Sequence, residues 1–515
     1  MRRIVFVGLI AAVLVAGIQS CKREITKVNL TYPALNPAQA DTNAGSWKPI
    51  LLSSATEFPV VSPIAVTSAD YKLELLEIKS WQSDLSEEEK EQIAYWSAGA
   101  VLRWNEILRE LVAKYNLPPY QDANGNYPVP SAANPLAYPY FPFANPPYAA
   151  RAYAYVSAAQ YDALVAAYHY KNVYKRPTPH TTDPSIQELI PVVEGYCYPS
   201  EDAVVSGAAA AMLTLLFPGE QDYIQQQLDA CKNYRIMAGA NTRSDMNAGE
   251  ALGRAVATKF INRARNDRAG KAIGTAADYA KFKANAIARG DTPWESLETP
   301  ARPGMLPLFG KVLGFLLDTT EVVNGRPPAP PLTSSETFRK EIDEVLYYSE
   351  NPTRERMRIV HFWADGAGTS TPPGHWNAIA CNDFVKERYS EVRWARNLAL
   401  LNMAMFDAAI CCWDAKYYYF NPRPSQVNPK IKTLTGVPNF PAYTSGHSTF
   451  SGSAATILGH ILPSRAADYM SMADEASKSR LYGAIHYRSD IEVGMTMGKA
   501  IGSKAIGRAQ TDGAE

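Results

Sequence analysis

From Leu85 onward, apolar positions recur at helical spacing through long Ala-rich segments: 87–115, 148–172, 202–216, 220–238, 244–265, 335–349, 353–365, 384–415, 448–462 and 465–508. That spacing turns one stripe of each helix inward. Val, Ile and Thr never alternate over strand lengths, so the pattern predicts an all-α protein. Residues 22–80 are rich in Pro, Thr, Ser and Asn with weak periodicity, and read as a tether or an irregular arm lying on the surface. The Pro-rich stretches 117–147 and 326–332 predict long loops. The second of these divides a helical domain at 81–325 from another at 326–515.

The two halves resemble each other at a constant shift. An offset of 245 positions places Arg151 on Arg396, Asp162 on Asp407, Tyr168 on Trp413 and Lys171 on Lys416. It also places Ser200 on Ser445, Gly207 on Gly452, Arg235 on Arg480, and Arg243-Ser244-Asp245 on Arg488-Ser489-Asp490. The matched positions are unusual residues and not merely Ala, which predicts two related helical bundles. They diverge where chemistry would lie: His447 is matched by Asp202, His486 by Asn241 and Gly446 by Glu201. The second copy is therefore expected to be active and the first a structural partner.

Composition narrows the function. The chain of 515 residues has 46% hydrophobic residues and a formal net charge of zero, which suits a folded protein and excludes the electrostatic footprint of a nucleic-acid binder. Met1-Arg2-Arg3, the apolar run Ile4–Ile18 and Gln19-Ser20-Cys21 have the form of an export signal over 1–21. Cys at its end resembles a bacterial lipobox. The expectation is an exported, periplasmic or outer-membrane-anchored lipoprotein of a Gram-negative bacterium, held to the membrane only through Cys21. No later segment reads as long and apolar enough to span a bilayer. Cys197, Cys231, Cys381, Cys411 and Cys412 are an odd number in a large chain and not a disulfide framework; one bridge is allowed but not selected by the sequence, and Cys411-Cys412 read as buried thiols. Homodimerisation is left open.

Three segments of the second half suit one kind of ligand. Lys416 and Arg423-Pro424 set two cations about two helical turns apart, with Pro422 and Pro424 ending the helix so that Arg423 turns inward. In Thr444-Ser445-Gly446-His447, Ser445 caps the helix 448–462, Gly446 lets backbone N–H groups approach a ligand, and His447 can move protons near neutral pH. In Ser479-Arg480-x5-His486-x3-Asp490, Asp490 lies one helical turn from His486 and can orient its imidazole.

In this order and spacing, the segments resemble the signature of the type 2 phosphatidic acid phosphatases and vanadium-dependent haloperoxidases: Lys-x6-Arg-Pro, Pro-Ser-Gly-His and Ser-Arg-x5-His-x3-Asp. The one departure is Thr444 in place of Pro. The resemblance implies an oxyanion held by Lys416, Arg423, Ser445, Gly446, His447, Arg480 and His486. In a haloperoxidase His486 would be the vanadium ligand, His447 would handle protons, and hydrogen peroxide and halide would be the substrates. In a phosphatase His486 would attack a phosphomonoester and no cofactor would be needed. Asp490 would orient His486 in both. Trp413 and Phe440 stand where haloperoxidases carry aromatics beside the halide. Phe-Trp-Ala-Asp-Gly (362–366) resembles a haloperoxidase segment whose Asp pairs with a pocket Arg, which would set Asp365 opposite Arg423. His375, in the Pro-Pro-Gly-His-Trp run, is placed either near the pocket mouth or in loop packing. An exported binding protein without catalysis is the third reading.

Overall fold

The computed structural model describes residues 32–117, 122–125, 145–191 and 195–514. The expected export signal and Cys21 lie outside them, as does most of the Pro-rich loop 117–147. Among the described residues there is no strand.

Among the described residues, fifteen helices of nine or more residues carry the fold: α1 Ala69–Ser83, α2 Glu87–Trp96, α3 Ala100–Tyr115, α4 Pro146–Tyr174, α5 Glu201–Leu216, α6 Gln221–Met237, α7 Arg243–Asn266, α8 Ala276–Ala288, α9 Glu336–Glu350, α10 Arg354–Phe362, α11 Thr371–Phe384, α12 Glu391–Tyr419, α13 Gly446–Ile461, α14 Ala466–Tyr482 and α15 Arg488–Ala509. The central pair is α4 and α12, each of 29 residues. Asn145 caps α4 by accepting from the Tyr148 N–H, with Pro146 and Pro147 in the first turn. Ser390 caps α12 in the same way, accepting from Arg393. Both helices are buried nearly all round, which explains their unbroken runs of Ala and large apolar residues. By length and composition α12 would qualify as a membrane span, contrary to expectation. Its apolar residues are packed inside the protein.

The starts of α4 and α12, α5 and α13, α6 and α14, and α7 and α15 each lie 245 residues apart (391 − 146, 446 − 201, 466 − 221, 488 − 243). Fastenings recur at the same shift. Arg151 Nε meets Asp267 at 2.6 Å, and Arg396 Nε meets Asp512 at 2.7 Å. The expected division near 326 is nevertheless not a break in the structure. Pro33–Glu515 form one compact unit, because α4 and α12 pack along one another.

Residues 33–68 form an arm laid on this body, held where Asp162 accepts from the N–H groups of Ile50, Leu51 and Leu52 at 2.6, 2.7 and 3.0 Å. Asp407 grips Phe315, Leu316 and Leu317 likewise at 2.8, 2.8 and 2.7 Å. The expected irregular stretch ends earlier than 80, since Ser68 caps α1. All five cysteines from Cys197 onward are buried free thiols.

Close helix packing positions the site. A Cβ on Gly498 of α15 would lie 2.3 Å from the Thr449 carbonyl oxygen of α13, so only glycine permits the two backbones to approach this closely. This contact sets the N-terminus of α13 against the residues just before α15.

Candidate active site

Lys416, in the last turn of α12, is fully buried, and its Nζ donates to the carbonyls of Pro441, Ala442 and Thr444 at 2.9, 2.8 and 2.5 Å. All three ammonium donors are thus engaged by the loop entering α13. Burial lowers its pKa far below that of an ordinary lysine. The helix ends at Tyr419, with Phe420 in the left-handed region at φ 53°. This is slightly earlier than expected, since Pro422 disfavours helix at the residue before it. Arg423 therefore reaches in from a loop. Its Nε donates to the Phe440 carbonyl at 2.9 Å, and Nη1 to the Ile485 carbonyl at 2.9 Å and to His486 Nε2 at 3.0 Å.

His486 precedes α15 and does not sit on it. The segment expected as one helix over 465–508 is broken at Gly483 and at Ala484, whose φ is 58°. Asp490 still reaches the imidazole, because it is the third residue of α15 and its carboxylate folds back over the helix start. One oxygen accepts from His486 Nδ1 at 2.8 Å and from the Tyr487 N–H at 3.0 Å. With Nδ1–H held by a carboxylate, Nε2 is left as the basic nitrogen facing Arg423. Burial, then Arg423, Lys416 and Arg480, push the His486 pKa well below its ordinary value.

Across the pocket, Ser445 caps α13, accepting from the Ser448 N–H, while its own N–H donates to the Asp490 carbonyl at 2.9 Å. A Cβ on Gly446 would meet the Trp413 ring at 3.8 Å and the Phe450 ring at 3.9 Å, ordinary contact distances, so this first turn is not crowded. His447 Nε2 lies 3.0 Å from Arg480 Nη1 and 3.8 Å from Asp365 Oδ2. Burial, reinforced by Arg480, pushes its pKa well below the usual histidine value. Burial also lowers the pKa of both Arg423 and Arg480 to about 10.

The aromatic wall is present. The Trp413 and Phe440 rings lie 5.2 Å apart, with Lys416 Nζ and Arg423 Cζ each 5.0 Å from the Phe440 centroid. Asp365 is not opposite Arg423. It bonds His375 Nδ1 at 3.0 Å, lies near His447 and favours the charged form of Arg480, because the loop after α10 approaches the α14 side of the pocket. His375 stacks on Trp363 at 4.5 Å and 24°. Trp363, whose carbonyl accepts from Arg480 Nη1 at 3.3 Å, had no sequence signal beyond lying in the quoted segment. The carbonyls that hold Lys416 had none.

Residues 397–507 match the model of the PAP2 superfamily. This stretch is a PAP2-superfamily domain. Among solved structures, the protein resembles a bacterial vanadium-dependent iodoperoxidase at 24% identity and TM-score 0.56, covering 70% of this chain and 91% of that one. It resembles an apo-type bacterial vanadium-dependent chloroperoxidase at 12% identity and TM-score 0.50, covering 76% and 98%. At these identities the likeness establishes the shared helical fold. No curated protein matches.

The PAP2 segment includes every residue predicted to touch the oxyanion, from Lys416 to His486, together with Asp490. Its pocket fits such a group. Among the described residues, Arg423 Nη2 and Arg480 Nε and Nη2 are buried without a hydrogen-bond partner. Three unpaired guanidinium donors beside a helix N-terminus form an anion cradle, since leaving them unmet costs about 1–3 kcal/mol each.

Proposed function

We propose that this pocket binds vanadate and oxidises halide with hydrogen peroxide. The observation that carries this is the set of orphaned Arg423 and Arg480 donors converging with His486 Nε2 beside the Trp413–Phe440 wall. His486 Nε2 would be the vanadium ligand; Arg423, Arg480, the Ser445 hydroxyl and the Gly446 N–H would hold the oxygens. Bound vanadate would supply a Lewis-acidic centre that activates peroxide toward halide without a change of metal oxidation state. Lys416 adds its charge at a short remove, its N–H groups held by the loop carbonyls.

His447, neutral before substrate enters, takes a proton from hydrogen peroxide at Nε2. Asp365, 3.8 Å from that atom, then stabilises the imidazolium. The aromatic faces offer a weakly hydrated halide a wall with no competing hydrogen bonds. We place the protein outside the cytoplasm, anchored through Cys21, on the strength of its N-terminal sequence.

The same Asp490–His486 pair favours a second reading, acid phosphatase. There Nε2 would attack phosphorus, His447 would protonate the departing oxygen, and water would later release phosphate. The test uses protein from residue 23 onward in phosphate-free buffer with orthovanadate, following peroxide-dependent oxidation of iodide and bromide. Turnover that requires vanadate and is suppressed by phosphate supports the haloperoxidase. Stoichiometric vanadate without turnover, together with labelled phosphate trapped on His486, replaces it with the phosphatase.

A further inference from the structure

A second, small cleft, of about 50 Å³, opens in the first half between α4, α5, α6 and the start of α12. It is lined by Lys171, Glu201, Asp202, Arg235 and Glu391, among others. Lys171 and Arg235 stand 245 positions before Lys416 and Arg480 and on the corresponding helices, as does Ser200 before the cap residue Ser445. The cleft therefore has two of the three cations and the helix N-terminus of an oxyanion cradle, with Thr178 standing where the second half has Arg423. It differs in what meets them. The first turn of α13 contains no acidic residue, whereas that of α5 contains Glu201 and Asp202.

Both carboxylates turn to the cations. Asp202 Oδ2 lies 3.1 Å from Arg235 Nη1, and its other oxygen accepts from the Tyr234 hydroxyl at 2.6 Å. Glu201 Oε2 lies 3.7 Å from Lys171 Nζ. Although burial opposes charge on Glu201, Lys171 and Arg235 hold its pKa below the ordinary carboxylate value, so it is an anion at neutral pH. A carboxylate at a helix N-terminus between two cations meets the same electrostatic demand as a bound phosphate. Glu391 faces the same cleft, but burial and repulsion from Asp202 and Glu201 raise its pKa strongly, and it serves to cap α3 at the Ala100 N–H, 2.5 Å away.

We infer that the first-half cleft is a second cradle for a tetrahedral oxyanion, occupied from within by the chain's own Glu201 and Asp202 carboxylates. The wild-type protein then binds one oxyanion per chain, and removing those carboxylates uncovers a second site. Glycine at 201 removes the carboxylate that faces Lys171 and leaves the first position of α5 without a side chain, as Gly446 is in α13, and histidine at 202 removes the anion paired with Arg235. The inference requires only that the PAP2 pocket bind an oxyanion, whichever chemistry follows there.

The experiment is equilibrium dialysis of the full chain against labelled phosphate, and separately against vanadate, for wild type and the double variant E201G/D202H. The expected result is one equivalent bound by wild type and two by the double variant, with Lys171→Ala added to it returning the number to one. E201S, which keeps the Asp202–Arg235–Tyr234 contacts, is the milder companion should the double variant fail to fold by circular dichroism. It is expected to take up a second equivalent at raised phosphate. A folded E201G/D202H or E201S protein that still binds a single equivalent overturns the inference. Wild type binding none would instead remove the reading of the PAP2 pocket itself.

Discussion

Asp490 illustrates how one side chain can govern a pocket it does not enter. Its Oδ2 receives both His486 Nδ1 and the Tyr487 N–H, so the imidazole tautomer and the start of α15 are fixed by the same atom. Asp490→Asn keeps the shape but replaces a pure acceptor with a group that is half donor. Partners of this kind typically contribute a factor of about 10–100 in ligand affinity, so D490N should weaken vanadate or phosphate binding by that amount in equilibrium dialysis. Undiminished affinity would show that His486 needs no such orientation. The two pocket histidines make a pH prediction as well. Burial and the surrounding cations disfavour imidazolium at His447 and His486, so both should remain neutral well below pH 6.5. A bound anion offsets those cations and must raise both pKa values. Proton NMR titration of the imidazoles with and without phosphate measures this directly. Ordinary titration near 6.5 in its absence, or indifference to phosphate, would contradict the arrangement described. The spacing of these residues was legible in the sequence because side-chain chemistry is written there. The partner of Asp365 was not, because it depends on which side of the pocket a loop approaches.

At the level of helices, glycines separate packing from binding. Gly498 faces a carbonyl oxygen that a Cβ would meet at 2.3 Å, whereas a Cβ at Gly446 would find ordinary contact at 3.8 Å. Gly498→Ala should therefore cost stability, by about 1–3 kcal/mol as for other overpacked sites, measured by urea unfolding. Gly446→Ala should leave unfolding nearly unchanged and lower oxyanion affinity, because the added methyl group stands beside the α13 N-terminus where the oxyanion would sit. If both variants lost stability alike, Gly446 would be a packing residue like Gly498 and not part of a ligand site. The periodic Ala-rich helices could be read directly from the pattern. Three others could not. α1 buries only Tyr71, Leu75 and Ile78 in fifteen residues, and α8 buries only Ala286, so neither shows a broad apolar stripe. α11 opens with Thr-Pro-Pro-Gly, which reads as a loop although proline is well suited to a first turn. The break between α14 and α15 was hidden for a different reason: the apolar period continues through it, while the left-handed Ala484 is a purely conformational feature.

Across the whole molecule, the boundary expected near 326 failed because a loop rich in proline does not reveal what its flanking helices pack against. α4 and α12 are each buried by the other half, so the halves share an interior. What ties irregular chain to this interior is a pair of buried carboxylates, Asp162 under the arm and Asp407 under residues 315–317, each accepting three backbone N–H groups. Burial raises both pKa values to about 6, even though the N–H bonds pull the other way. The unfolded-state value is about 3.9, so the folded protein holds these protons more tightly. Each group's stabilising contribution is therefore complete below about pH 3.9 and declines as pH rises through 6. Asp407→Asn removes the ionisation and retains one accepting oxygen. At pH 7 it should be less stable than wild type, because an amide nitrogen now opposes backbone donors that cost about 1–3 kcal/mol each when unmet. Subtracting its urea-unfolding free energy from that of wild type cancels the titration of every other group. That difference should shrink by about 2 kcal/mol between pH 4 and pH 6.5, at roughly 1.4 kcal/mol per pKa unit. A difference that stays flat or widens with rising pH would mean that Asp407 is ionised throughout, and that its three N–H bonds outweigh its burial.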